Sequence, residues 1–209
     1  MEEIARIFDT NVFAAIRTAK IVIPHMAARK RGTVVNVGSV AGIMCVLGLM
    51  FLPPFPFLSR DSGRPSPWGG IYAASKAALH SLTDSLYMEC KPLNISVVLL
   101  APGAVKSNIA TNQAPHINVP ADSLYKGYYD HILERLARVQ ENSPMPTEVY
   151  AQKTVNAVLQ TRPPRYMSLG KMTGWAKVFS WLPRGWVLNM IWNTLGEGPT
   201  RRRVAQRTK

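Results

Sequence analysis

The chain has 209 residues, 47% of them apolar, a mean hydropathy of −0.01 and a formal charge of +13. Those values exclude a disordered chain and a polytopic membrane protein, and the length has room for one ordinary domain. The charge is concentrated: residues 162–209 hold 10 basic and 1 acidic residue, a net +9, against +4 for the rest. A nearly ordinary globular body with a basic C-terminal segment suggests an anionic surface met by the tail.

In chain order, residues 4–29 read as a helix, with Ile4, Ile7, Phe8, Val12, Ile16, Ala19 and Ile23 at helical spacing, Pro24 late in the run and Gly32 ending it. Thr33 to Val37 reads as a β-branched strand. Residues 71–90, rich in Ala and Leu, read as a second helix. Residues 94–101 contain five consecutive apolar residues from Val97, the pattern of a strand covered on both faces. Strand, helix, strand is a βαβ unit with parallel strands and a right-handed crossover. Further helices are predicted over 122–139 and 147–160, and a short strand over 165–169. The start, Met1-Glu2-Glu3, lacks the basic character of a secretory signal. Two cysteines, Cys45 and Cys90, make neither a disulfide scaffold nor a metal cage, so no metal is expected and a reducing compartment is the simpler reading.

In Tyr72-Ala73-Ala74-Ser75-Lys76 a phenol and an ammonium stand at i and i+4 on one helix face. A phenol titrates near ~10 in isolation; a nearby ammonium favours phenolate and makes proton transfer to or from a substrate oxygen easier. The pair alone fits two unrelated surface residues equally well. Ser39 follows the first strand directly, and ligands of open α/β sheets bind beyond the carboxyl ends of strands. A turn or cap serine would look the same. Pro102-Gly103 follows the next strand at the same edge, and Asn11 lies in the first helix.

Taken in order, Asn11 in DTNVFAA, Ser39 in VVNVGSVAG, Tyr72 and Lys76 in YAASKAAL, and Pro102-Gly103 in LLAPGAV resemble the short-chain dehydrogenase/reductase family, over about residues 8–106. Pro67-Trp68-Gly69-Gly70 and the Trp-rich basic tail are most similar to its fungal NADPH-dependent 1-acyldihydroxyacetone-phosphate reductases. The resemblance implies an α/β fold, the C-terminal part of a Rossmann-type doubly wound parallel sheet, with a helical tail. It implies Tyr72 as general acid in ketone reduction, and Lys76 as the residue that binds the nicotinamide ribose and depresses the tyrosine's pKa. Ser39 would orient the substrate oxygen and Asn11 hold a relay water. Pro102, Gly103, Val105 and Ser107 would face the nicotinamide of NADPH; the family usually has threonine at the place of Ser107.

Two departures stand out. No G-x-G-x-x-G or related turn occurs in the 209 residues, and that loop lets a backbone approach a pyrophosphate at a helix N-terminus. In family terms the chain starts near the helix after the fourth strand, so the adenosine half is expected to be missing, and the chain as given to be inactive or a weak NADPH binder. Ser39 and Tyr72 lie 33 positions apart, far more than in the family motif. The surplus, 44–64, reads as a translated intron or gene-model error, with a lid insertion as the alternative. Its apolar run is shorter than the ~20 residues of a membrane span and is broken by Pro53, Pro54 and Pro56.

The expected organisation is a partial reductase domain over 1–170 and a tail over 171–209. The tail holds Trp175, Trp181, Trp186 and Trp192. Trp175, Val178, Phe179 and Leu182 fall at helical spacing, Pro183-Arg184-Gly185 breaks the run, and Val187, Ile191 and Leu195 continue it. Aromatic residues beside basic ones suit a membrane interface, and Arg201, Arg202, Arg203, Arg207 and Lys209 add attraction to anionic lipid. A core-packed helix pair is the alternative. A nucleic-acid partner is not expected. The partners implied are a small lipid substrate and a membrane or lipid-droplet surface, on the cytoplasmic face of the endoplasmic reticulum or on a droplet, with oligomerisation possible through helices 4–29 and 71–90. The activity implied is NADPH-dependent reduction of a lipid carbonyl such as acyl-dihydroxyacetone phosphate. A retinol- or hydroxysteroid-type dehydrogenase and a non-catalytic lipid-surface protein are the alternatives.

Overall fold

The continuous apolar run ISVVLL becomes the middle strand of a parallel sheet, as its composition requires: Val98 is fully buried, with Val97, Leu99 and Leu100 nearly so. In the computed structural model, which describes residues 1–42, 69–113, 119, 121–130, 132–133, 144–170, 173 and 182–195, three strands run in the order β1 (Gly32–Val37), β2 (Ile95–Leu100), β3 (Tyr166–Met167). β1 and β2 are in parallel register from Gly32 opposite Ile95 to Val37 opposite Leu100; Leu99 and Leu100 face Tyr166 and Met167.

The helices with bounds among the described residues are α1 (Glu2–Phe8), α2 (Ala14–Ala28), α3 (Gly70–Cys90), α4 (Ile109–Gln113), α5 (Thr147–Val158) and α6 (Arg184–Leu195). The single helix expected over 4–29 is divided: between α1 and α2 the chain makes a π-helical turn at Asp9–Phe13, closed by the Ala14 N–H on the Asp9 carbonyl. The exposed Arg17–Asp9 ion pair, 2.7 Å, straddles it. α3 supplies the crossover that parallel strands need and packs on β2. Cys90, Ile95 and Val97 form a buried cluster against Ile23, Met26, Val34 and Leu86, so α2, α3 and both strands share one core.

The entry ends of β1 and β2 are tied together. Lys30 and Asn94, just before them, adopt left-handed backbone (φ 51° and 56°), and the Asn94 carboxamide donates to the Lys30 carbonyl at 2.6 Å. Asparagine tolerates that conformation, so the side chain that closes one turn also anchors the other.

Other expectations change in detail. The short strand over 165–169 is two residues long, Tyr166–Met167. Asp122, Leu124 and Tyr125 are in turns, followed by a 3₁₀ turn at Lys126–Tyr128, so of the helix expected over 122–139 the described helical residues are 129, 130, 132 and 133. α4 was not anticipated. Arg184 and Gly185, expected to break the run, begin α6 directly after Pro183, with the Val187 N–H on the Pro183 carbonyl at 3.1 Å. Val187 and Ile191 are buried while Trp186 is 57% exposed, so α6 presents one packed face and one tryptophan outward. The 44–64 segment, Trp175, Trp181 and the arginine run lie outside the described residues. No described helix is long and apolar enough to cross a membrane, and no metal-ligating cluster occurs among the described residues.

Candidate active site

Strand β1 ends at Val37, and the chain turns at Gly38-Ser39 into a 3₁₀ turn, Val40–Gly42, lying on α3. Gly42 is needed there: a Cβ would come 2.6 Å from the Lys76 carbonyl carbon and 2.9 Å from the Ala77 nitrogen, both backbone of α3. This backbone-to-backbone approach sets the turn carrying Ser39 against the stretch of α3 carrying Tyr72 and Lys76. The turn is also tied to the end of β2, by the Gly38 N–H on the Leu100 carbonyl (2.8 Å) and the Val40 N–H on the Pro102 carbonyl (3.1 Å).

The hydroxyls of Ser39 and Tyr72 are hydrogen-bonded. Ser39 Oγ also accepts the Ala41 N–H at 3.1 Å, which fixes the serine rotamer. Lys76 Nζ donates to the Val37 carbonyl at 3.0 Å and lies 5.8 Å from the Tyr72 ring centroid. Asn11, carried on the π-helical turn, donates from Nδ2 to Ser75 Oγ at 3.0 Å, and the fully buried Ser75 hydroxyl donates to the Tyr72 carbonyl at 2.8 Å. Asn11, Ser39, Tyr72 and Lys76 are thus gathered around one turn of α3, at the carboxyl edge of the sheet, with Ser39 and Tyr72 joined side chain to side chain. π-helical turns recur at functional sites, and here the turn brings Asn11 to α3.

Burial raises the Tyr72 pKa above that of an ordinary phenol, and the Ser39 hydrogen bond pulls it partly back. Burial lowers the Lys76 pKa. The expectation that Lys76 depresses the phenol differs from this balance: the ammonium is directed at the Val37 carbonyl, and the group easing ionisation of Tyr72 is Ser39.

The loop after β2 is held from the other side. The Gly103 N–H meets the Leu169 carbonyl at 2.8 Å, Val105 bridges Met145, and the Lys106 N–H meets the Met145 carbonyl at 2.9 Å. Gly170, at φ 108°, lies so close that a Cβ would sit 3.1 Å from the Ala104 oxygen. Pro102 and Gly103 therefore stand beside the Ser39 turn, while Val105 and Ser107 lie further along the loop.

Sequence reasoning missed His80. It is buried on α3, one turn beyond Lys76, and its Nε2 accepts the Ser39 N–H at 3.2 Å. Burial, the first cause, and the Lys76 charge lower its pKa to about 4 against an opposing pull from Asp84. The only signal in the sequence was its spacing from Tyr72 and Lys76.

A family model described as short chain dehydrogenase matches residues 1–50 and 58–118. An uncharacterized oxidoreductase of Bacillus subtilis is 34% identical over 151 residues, covering 71% of this chain and 47% of that protein. The NADPH-dependent 1-acyldihydroxyacetone phosphate reductase of Saccharomyces cerevisiae is 30% identical over 159 residues, covering 75% and 45%. A short chain dehydrogenase/reductase from Burkholderia phymatum, solved in complex with NAD, superposes with a TM-score of 0.53 at 25% identity, covering 77% of this chain and 51% of that one. The chain spans about half the length of the curated relatives it matches.

That family uses NAD(P). The donor set at the carboxyl edge fits the nicotinamide–ribose half of such a cofactor: a half-buried phenol–serine pair, an ammonium one helical turn away, and a loop over 102–107 held by hydrogen bonds. For the pyrophosphate these 209 residues hold no Gly-rich turn.

Proposed function

The chain belongs to the short chain dehydrogenase family, and from that premise we propose that its site serves NADPH-dependent reduction of a carbonyl on a lipid-like substrate, acyl-dihydroxyacetone phosphate being the first candidate. The observation that carries the reading is the hydrogen-bonded Tyr72–Ser39 pair, with Lys76 one turn away, at the carboxyl edge of parallel strands. When bound, NADPH supplies the hydride. Ser39 holds the substrate oxygen beside the Tyr72 hydroxyl, and Tyr72 gives its proton to that oxygen as negative charge develops there. Its raised pKa keeps the phenol protonated at neutral pH, the state a general acid needs. Lys76 holds the ribose, and the Ser39 hydrogen bond eases formation of the phenolate left behind. Asn11, bonded to Ser75 beneath Tyr72, steadies the helix turn that presents the acid.

The lipid part of the reading is supported by the yeast relative and by the tail. In this proposal segment 171–209 brings the site to an anionic lipid surface, with the outward Trp186 at the interface and the arginine run supplying attraction. The test is oxidation of NADPH followed at 340 nm with acyl-dihydroxyacetone phosphate, retinal and a ketosteroid in parallel. Turnover of the first alone supports the proposal. Preference for retinal or the steroid replaces the substrate class. Liposome binding with neither NADPH binding nor turnover replaces the reductase by a lipid-surface protein.

A further inference from the structure

We propose that His80 is a positioning residue of this site: by accepting the Ser39 N–H it holds the turn after β1 so that the serine hydroxyl meets the Tyr72 hydroxyl. The proposal rests on the reading of Tyr72 and Ser39 as the working pair.

Tyr72, Lys76, His80 and Asp84 are spaced four apart along α3, one ridge of the helix surface. The first two members reach the carboxyl end of β1, Tyr72 through Ser39 and Lys76 through the Val37 carbonyl. His80 reaches the same three-residue stretch from the next turn, through the Ser39 N–H at 3.2 Å. Its ring fills the place a side chain at residue 38 would need: a Cβ on Gly38 would overlap Nε2 and Cδ2. Residue 38 is thereby pressed between the imidazole and the Leu100 carbonyl, which takes its N–H.

A histidine that merely fills the core would need only some partner. This one takes the backbone N–H of the residue whose hydroxyl contacts the phenol. Asp84, the next residue on the ridge, is held by Arg165 at 2.7 Å, just before β3. The charged groups acting on the imidazole are thus Asp84 and Lys76, both on its own ridge. An acceptor nitrogen without a proton is what the Ser39 N–H requires, and burial among these groups keeps the ring in that form.

The test follows Tyr72 without cofactor, by ¹³Cζ NMR through an alkaline titration, its resonance assigned by loss in Tyr72→Phe. Because the Ser39 bond lowers the phenol's pKa, Ser39→Ala is expected to move the midpoint upward. His80→Leu should move it upward in the same way, and His80→Gln, whose carbonyl can accept the same N–H, should restore it. A His80→Leu protein that melts earlier but keeps the wild-type midpoint overturns the proposal and leaves a core histidine. A Ser39→Ala protein with an unmoved midpoint overturns the proposal and the pairing it depends on. Should His80→Leu fail to fold, the wild-type protein decides: a scalar coupling between the Ser39 amide nitrogen and His80 Nε2 supports the proposal, and its absence overturns it. The titration shifts occurring as expected in a protein that reduces no carbonyl would retire the reductase reading while the His80–Ser39–Tyr72 linkage stood.

Discussion

Replacing Thr83 by valine should destabilise the protein by about 1–3 kcal/mol, because it strands a buried amide donor. Thr83 is 2% exposed, and its hydroxyl has two jobs: it donates to the Leu79 carbonyl at 2.6 Å and accepts from Asn36 Nδ2 at 2.9 Å. Valine keeps the branched shape of the side chain and loses both bonds. The helix carbonyl retains its backbone partner, so most of the loss falls on Asn36, which is 9% exposed. At about 2–4 °C per kcal/mol for a chain of this size, a 2 kcal/mol loss lowers Tm by about 4–8 °C. Thr83→Ser keeps the hydroxyl and should recover most of it. The decisive arm is the double variant Asn36→Leu with Thr83→Val: removing both partners leaves nothing unsatisfied, so it should be more stable than the sum of the single variants, with a coupling of about 0.5–3 kcal/mol. Urea unfolding of the four proteins measures this. A Thr83→Val cost under about 0.5 kcal/mol, or strict additivity, would show that the bond does not link β1 to α3.

Three further outcomes are expected. In a protein that turns over, Tyr72→Phe should lower kcat by about 10²–10⁴-fold with little change in melting temperature; near-normal turnover removes Tyr72 from the acid role. His80 binds a proton more readily unfolded, near its ordinary 6.5, than folded, at about 4. Its contribution is therefore complete above about pH 6.5 and is lost as pH falls towards 4, by at most about 3 kcal/mol, and His80→Gln should flatten that part of the stability–pH curve. In liposome flotation, changing Arg201, Arg202 and Arg203 to Gln should weaken binding mainly at low salt, whereas Trp186→Ser should weaken it at all salt concentrations without lowering Tm; a drop in Tm with no liposome affinity in the parent would end the membrane proposal.

The strands of the central pair were legible in the sequence because VVLLA admits no exposed face and TVVNV no helix. α3 was legible to within one residue of its bounds, since nothing in its Ala-rich run stops it before Cys90. The division of the first helix was not: a π turn adds one residue to the spacing, and apolar residues as dense as those of 4–29 fit more than one phase. Tyr72, Lys76 and Ser39 could be placed at one sheet edge by chain order alone. The role of His80 could not, because a histidine among Ala and Leu carries no sign of which backbone group it will meet 41 residues away.

The π turn makes the first helix behave as two gears on one axle with a spare tooth between them. An α-helix advances by about 100° per residue, and the π turn takes up one residue more, so a one-residue deletion within Asp9–Phe13 would let the ladder close as ordinary α-helix with its flanking turns still in step. The faces of α1 and α2 would each remain sound, yet Asn11 would lose the widened turn that carries it against Ser75. The extra residue thus works as a spacer: removing it would smooth the helix and withdraw the asparagine from the helix turn that carries Tyr72.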